Sequence, residues 1–209
     1  DWYLRDYKAA MTYVQTAVEL AEDAGFAYIL AISTFYLGRI IVAICLQQGD
    51  RSKRKVSEGF LLMQQGMAME AAISSKLGIT SRWLVLADSH RQCGQTDPAW
   101  QALQQAQTEA NDRQELYFEA EILRVKGVLY HLAEDACLAE TCFRQAILSA
   151  RQQKARLWEL RAATALCHLW QSQGKQAQAQ QLLADVMKWF DGEVVSPDVL
   201  EARALKFGA

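Results

Sequence analysis

The chain has little that would interrupt a helix: two prolines and eleven glycines in 209 residues. A many-stranded β architecture needs turn residues far more often, so this scarcity favours long helices. The cysteines are few and odd in number, Cys45, Cys93, Cys137, Cys142 and Cys167, and lie inside apolar helical patterns. They read as small buried thiols of a reducing compartment and not as a disulfide framework, which makes the cytoplasm the expected location. Basic excess is missing too, with 22 Lys and Arg against 24 Asp and Glu and a formal net charge of -2. Such a balance gives no sequence-wide attraction to phosphate backbones or anionic lipid, so neither nucleic acid nor membrane is an expected partner. A charged-then-apolar leader pattern is lacking at the start. The most apolar stretch, Phe26 to Leu46, carries Ser33, Thr34, Gly38 and Arg39 and reads as a buried core helix.

Signatures of chemistry are equally scarce. No GxxxxGK[ST] loop, CxxC pair or HExxH motif occurs. Cys137, Cys142, Cys167, His168, His90 and His131 are the soft-ligand candidates, but Cys142 and Cys167 fall where helices need small packed residues. Cys167 and His168, adjacent in sequence, project from different faces of a helix and cannot work as a nucleophile and its base. The sequence therefore offers no catalytic residue, no cofactor site and no metal site, and this chain is not expected to be an enzyme.

What is present is a repeat. Trp83, Leu86, Ala87, His90, Gly94, Ala99, Leu103 and Ala106 recur 40 residues on as Leu123, Lys126, Gly127, Tyr130, Glu134, Ala139, Phe143 and Ala146. They recur again as Ala163, Leu166, Cys167, Trp170, Gly174, Ala179, Leu183 and Val186. Within each unit a small residue (Ala87, Gly127, Cys167) permits close helix approach and a flat ring (His90, Tyr130, Trp170) fills the space beside it. The second helix then shows three positions at four- and three-residue intervals, which share one face. The unit is a helix hairpin that cannot bury its apolar faces alone, and stacking with neighbours would bury them. Trp83, Trp170, Trp158 and Trp189 read as core.

Upstream, Leu37, Gly38 and Ile41 begin another first helix, whose partner is marked by Gly59, Met63 and Gly66. About nine extra residues separate the two, and the basic insertion at 50–57, with Arg51, Lys53, Arg54 and Lys55, reads as a solvated loop. Ala10, Val14 and Ala17 have the spacing of a second helix with no first helix before it, so preceding repeats are expected upstream of Trp2 and Tyr3. The pattern predicts ten helices, at 3–24, 26–48, 55–77, 79–93, 96–111, 114–132, 136–153, 155–173, 175–191 and 197–207. They form one all-α domain, a fragment of a larger protein. It divides into a half repeat at 1–25, repeats at 26–78, 79–113, 114–154 and 155–191, and a capping segment at 192–209.

Gly127, Tyr130, Ala139, Phe143 and Ala146 have the order and spacing by which this sequence resembles the tetratricopeptide repeat. Lys126 stands in place of the usual leucine and Glu134 in place of the turn glycine, and the 40-residue period exceeds the ~34 of the standard unit. The resemblance implies an antiparallel helix-hairpin solenoid wound as a right-handed superhelix. From Ala139 onward, AETCFRQAILSARQQKARLWELRAATALCHLWQSQGKQAQAQQLL and WFDGEVVSPDVLEARAL are similar to the C-terminal ends of large bacterial signal-transduction ATPases. In that group an ATPase module precedes tetratricopeptide-like repeats, often behind an adenylate or guanylate cyclase or a transcriptional-regulator domain. The resemblance implies a regulatory arm, with catalysis elsewhere in the parent protein.

Function is then expected on one face of the first helices. With Trp83, Leu86, Ala87 and His90 turned to the core, Ser81, Leu84, Asp88 and Arg91 face the concave side, as do Glu121, Arg124, Val128 and His131, then Arg161, Thr164, His168 and Gln171. The expected partner-binding set is Asp88, Arg91, Glu121, Arg124, His131, Arg161, His168 and Gln171. It would grip a protein or peptide, or other domains of the same polypeptide, with Arg124 and Arg161 converging on a shared ligand. The alternative is a sensor in which Arg124, His131, Arg161 and His168 line a pocket for a small anionic or polar effector.

Overall fold

The computed structural model describes residues 6–49, 53–190, 192 and 196–205, and every regular element among them is helical. The ten α-helices are α1 (Tyr7–Ala24), α2 (Ala27–Gln47), α3 (Lys53–Ala72), α4 (Ile79–Gln92), α5 (Thr96–Arg113), α6 (Glu119–Leu132), α7 (Ala136–Gln152), α8 (Arg156–Ser172), α9 (Gln176–Met187) and α10 (Pro197–Ala204). Three of them start on a side-chain cap: Asp6 accepts from Ala9 N–H, Asp135 from Leu138 N–H and Ser196 from Val199 N–H. Each satisfies one of the orphan donors of a first helical turn.

The turns set a rhythm. Ser74, Gly94, Gln114, Glu134, Lys154 and Gly174 all hold a left-handed backbone, with φ between 54° and 74°, at intervals of 20 residues. In each case the next residue's N–H bonds the carbonyl five residues back: Ser75 to Glu70, Gln95 to His90, Glu115 to Ala110, Asp135 to Tyr130, Ala155 to Ala150 and Lys175 to Trp170, at 2.8–3.0 Å. This six-to-one bond closes a helix end by satisfying a carbonyl that has run out of helical partners. Gly25 ends α1 in the same way, through Phe26 N–H to Ala21.

The chain divides into two compact units, Asp1–Ala102 and Leu103–Ala209. In the first, α1 packs on α2, α2 on α3, and α4 on both α2 and α3. By length and composition α2 could cross a membrane, with a mean hydropathy of 2.2, yet half of that window is buried against protein. A Cβ added at Gly66 would lie 2.6 Å from the Ala31 carbonyl oxygen and the Phe35 nitrogen, and one at Gly59 would lie 2.8 Å from the Gly38 oxygen. The α2 and α3 backbones meet with no room for a side chain between them.

In the second unit α6 packs on α7, α7 on α8, α8 on both α6 and α9, and α10 on α8. The repeat positions line its core: Ala139, Phe143, Ala146, Ala163, Leu166, Cys167, Ala179, Leu183 and Val186 are all buried, with Leu123 and Tyr130 packed against them. Gly127 is where it is because the Phe143 ring occupies the space its Cβ would need, 2.6 Å away.

Three expectations are corrected. The helix expected over 55–77 runs from Lys53 to Ala72, so Lys53, Arg54 and Lys55 form its first turn instead of a loop. Helical propensity of the long basic side chains prevails over their unfavourable charge at a helix N-terminus. Trp189, read as core, is 60% exposed, because it falls in a 3-10 turn after α9 and turns outward beneath the Arg156 guanidinium, 3.7 Å from the ring centre. Cys137 is exposed and Cys93 half-buried, since both sit at helix ends, where the buried face is not yet closed; Cys45, Cys142 and Cys167 are buried. Trp2, Tyr3 and Arg51 lie outside the described residues.

Candidate functional site

The residues named for the binding face do not share one environment. In the first unit Asp88 and Arg91, three apart on α4, pair at 2.8 Å and are both half-buried. Leu84, on the same expected face, is buried.

In the second unit α6 and α8 lie side by side, and residues 40 apart become neighbours. Glu121 of α6 accepts from Arg124 Nε and Nη2, both at 2.8 Å, and faces Arg161 Nη1 of α8 at 2.6 Å. Arg161 also reaches Asp198 of α10 at 3.7 Å. Arg124 and Arg161 do converge, and the group between them is the protein's own carboxylate. Glu121 and Arg124 are each 7% exposed, so this arrangement ties α6, α8 and α10 together more than it offers charge to solvent. His131 and His168 are exposed about two turns further along, each seven residues past Arg124 and Arg161; Gln171 and Val128 are half-buried, and Thr164 is buried.

A second set of charges, outside the expected face, lies along α7, the first turn of α8 and the turn before α9. Glu159, 2% exposed, holds Arg151 at 2.6 Å and Arg156 at 3.0 Å. Glu140 accepts from Arg144 at 2.8 Å and from Lys175 at 3.1 Å. Partial burial would push the Glu140 carboxyl up, but these two cations outweigh it and hold the group below its ordinary value. Arg144 stacks over the Trp170 ring, 5.0 Å from its centre. Between the two arginines opens a depression of about 260 Å³, floored by Ile147, Leu148, Leu166 and Leu182 and walled by Trp170. The signal was present, since Arg144 and Arg151 stand seven apart around Ile147 and Leu148 on one helical face.

The remaining reactive groups are quiet. Burial pushes the Cys167 thiol up to about 12, and its Sγ lies 3.2 Å from the Ala179 carbonyl as a weak donor. Among the described residues no three His, Cys, Asp or Glu side chains gather as a metal-ligand set.

Compared with known proteins, the chain matches no protein-family model and no curated protein at a significant level.

Proposed function

We propose that the chain is a protein-binding helical-repeat segment of the tetratricopeptide kind, a stack of helix hairpins that holds another protein's surface. The observation that supports this best is the left-handed turn at every twentieth residue from Ser74 to Gly174, with consecutive helices packed on one another from α1 to α4 and from α6 to α9. Units of equal length present equivalent side chains side by side, as Glu121 and Arg161 are, and a row of equivalent positions is what an extended partner can follow. The similarity of residues 139–209 to the tails of bacterial signal-transduction ATPases supports the narrower reading. In it, the segment is a cytoplasmic regulatory arm, and its partner is a separate protein or another domain of the same polypeptide.

The test is photo-crosslinking. A photoreactive residue in place of His131 or His168, both exposed on the α6 and α8 face, should capture a discrete protein partner, whereas the same group at the exposed Gln104 of α5 should not. Equal capture from all three positions, or none from the first two, would refute the reading.

A further inference from the structure

We propose that the depression between Arg144 and Arg151 receives an amphipathic helix of a partner protein, one that carries leucine-like side chains between two carboxylates seven residues apart. This rests on the protein-binding reading and specifies the chemistry of one partner surface.

Three observations carry it. The floor is aliphatic and reaches the surface: Leu148, between the two arginines, is 58% exposed, and Leu182 and Ile147 continue it inward. At about 260 Å³ the space is below the range of sites that enclose a whole small ligand, and suits side chains inserted from a larger body. The rim is cationic. Arg144, Arg151, Arg156 and Lys175 gather around Glu140 and Glu159; Asp185 of α9 also feels Arg151 but is paired with its own cation, Lys188, at 2.8 Å, so the rim keeps positive charge for an acidic partner. Both rim arginines are largely solvent-facing, with side chains 58% and 48% exposed, and among the described residues Arg151 hydrogen-bonds Glu159 through Nε alone.

Spacing selects a helix over an extended strand. Seven residues on α7 rise about 10 Å, the distance between two side chains seven apart on a second helix laid along it. The partner's residues at the third and fourth positions between those carboxylates would then point into the floor. The Trp170 ring, held by Arg144, supplies a flat wall against which an aliphatic side chain packs.

The experiment uses the whole chain and a fluorescein-labelled helical peptide with Glu at its first and eighth positions and Leu at the fourth and fifth, read by fluorescence anisotropy. Saturable binding is expected, weakened by about tenfold or more, or about 1.4 kcal/mol, when both Glu residues of the peptide become Lys. The same loss is expected for Leu148→Glu in the chain, an exposed position whose substitution should leave far-UV circular dichroism unchanged. Equal binding of the Glu and Lys peptides, or of wild type and Leu148→Glu, would overturn the proposal. Self-association of the chain that Leu148→Glu abolishes would overturn it in favour of a second copy as occupant. If a partner captured through His131 or His168 binds Leu148→Glu with full affinity while the peptide fails to bind, the depression is not the site although the protein-binding reading stands.

Discussion

Arg161 reaches from α8 to place its Nη1 2.6 Å from Oε1 of Glu121 on α6, across one full repeat of 40 residues. Glu121 thereby serves as a counter-charge to two guanidiniums, one of them, Arg124, buried, while Arg161 also reaches Asp198 at 3.7 Å. Glu121→Gln should destabilise the second unit by about 3–5 kcal/mol, the cost of a buried charge that loses its partner. Urea denaturation measures it, and Arg161→Gln, at a 30% exposed side chain, should cost clearly less.

The contact between Gly127 and Phe143 predicts a pair of effects. Phe143→Ala should cost about 3–5 kcal/mol by opening a cavity at a position only 1% exposed. Gly127→Ala should cost about 1–3 kcal/mol by overpacking, because the new methyl would meet the ring at 2.6 Å. The Gly127→Ala/Phe143→Leu double variant should lose less than the sum of the Gly127→Ala and Phe143→Leu singles, and a thermodynamic cycle on melting curves shows whether it does.

At the turns the expectation runs the other way. Glu134 adopts φ 62° where Gly94 and Gly174 serve the equivalent positions. A left-handed residue with a Cβ is strained by about 1–2 kcal/mol, partly offset by the extra freedom glycine gives the unfolded chain. Glu134→Gly should therefore stabilise by up to about 1 kcal/mol, with a like gain at Lys154. Calorimetry showing a lower melting temperature for both would contradict this account of the turns.

His90 stacks flat on Phe60, ring centres 4.1 Å apart, with Nδ1 at 2.6 Å from Gln95 Oε1. Burial pushes the imidazole below the usual histidine range, the hydrogen bond to Gln95 working against the shift. The unfolded chain therefore takes up this proton first as pH falls, so His90 costs stability below about pH 6.5. Between pH 7 and 5 the wild type should lose more stability than His90→Phe, as measured by denaturant midpoints at each pH.

Much of this was readable in the residues, for reasons that can be located. The buried set Ala99, Leu103, Ala106 and its two recurrences follows from apolar spacing alone, because small residues are tolerated on that face only where another helix closes in. The turn at Glu134 was legible through the 40-residue register, although a glutamate carries no turn signal of its own. Ser74, Gln114 and Lys154 carry no turn signal, which is why the pattern predicts a helix to 77 where the chain breaks at Ser74. The neighbour relation of Glu121 and Arg161 followed from the register as well. The burial of Glu121 did not, since it depends on Arg124, on the same helix, and on Arg161, itself met by Asp198 of α10 from much later in the sequence. The depression on α7 was missed because it needs Trp170 and Leu182, contributed by two later helices.

The twenty-residue rhythm also governs which changes of length the chain can absorb. Each residue advances a helix by 100°, so one inserted codon inside α7 would swing every later side chain of that helix away from its neighbours. Insertion of a whole 40-residue segment at Gln114 or Lys154, both already in left-handed turns, would return each downstream helix to its original facing. Length variation among natural versions of this segment should consequently come in whole hairpins joined at these turns, and internal duplication is the genetic event its geometry tolerates best.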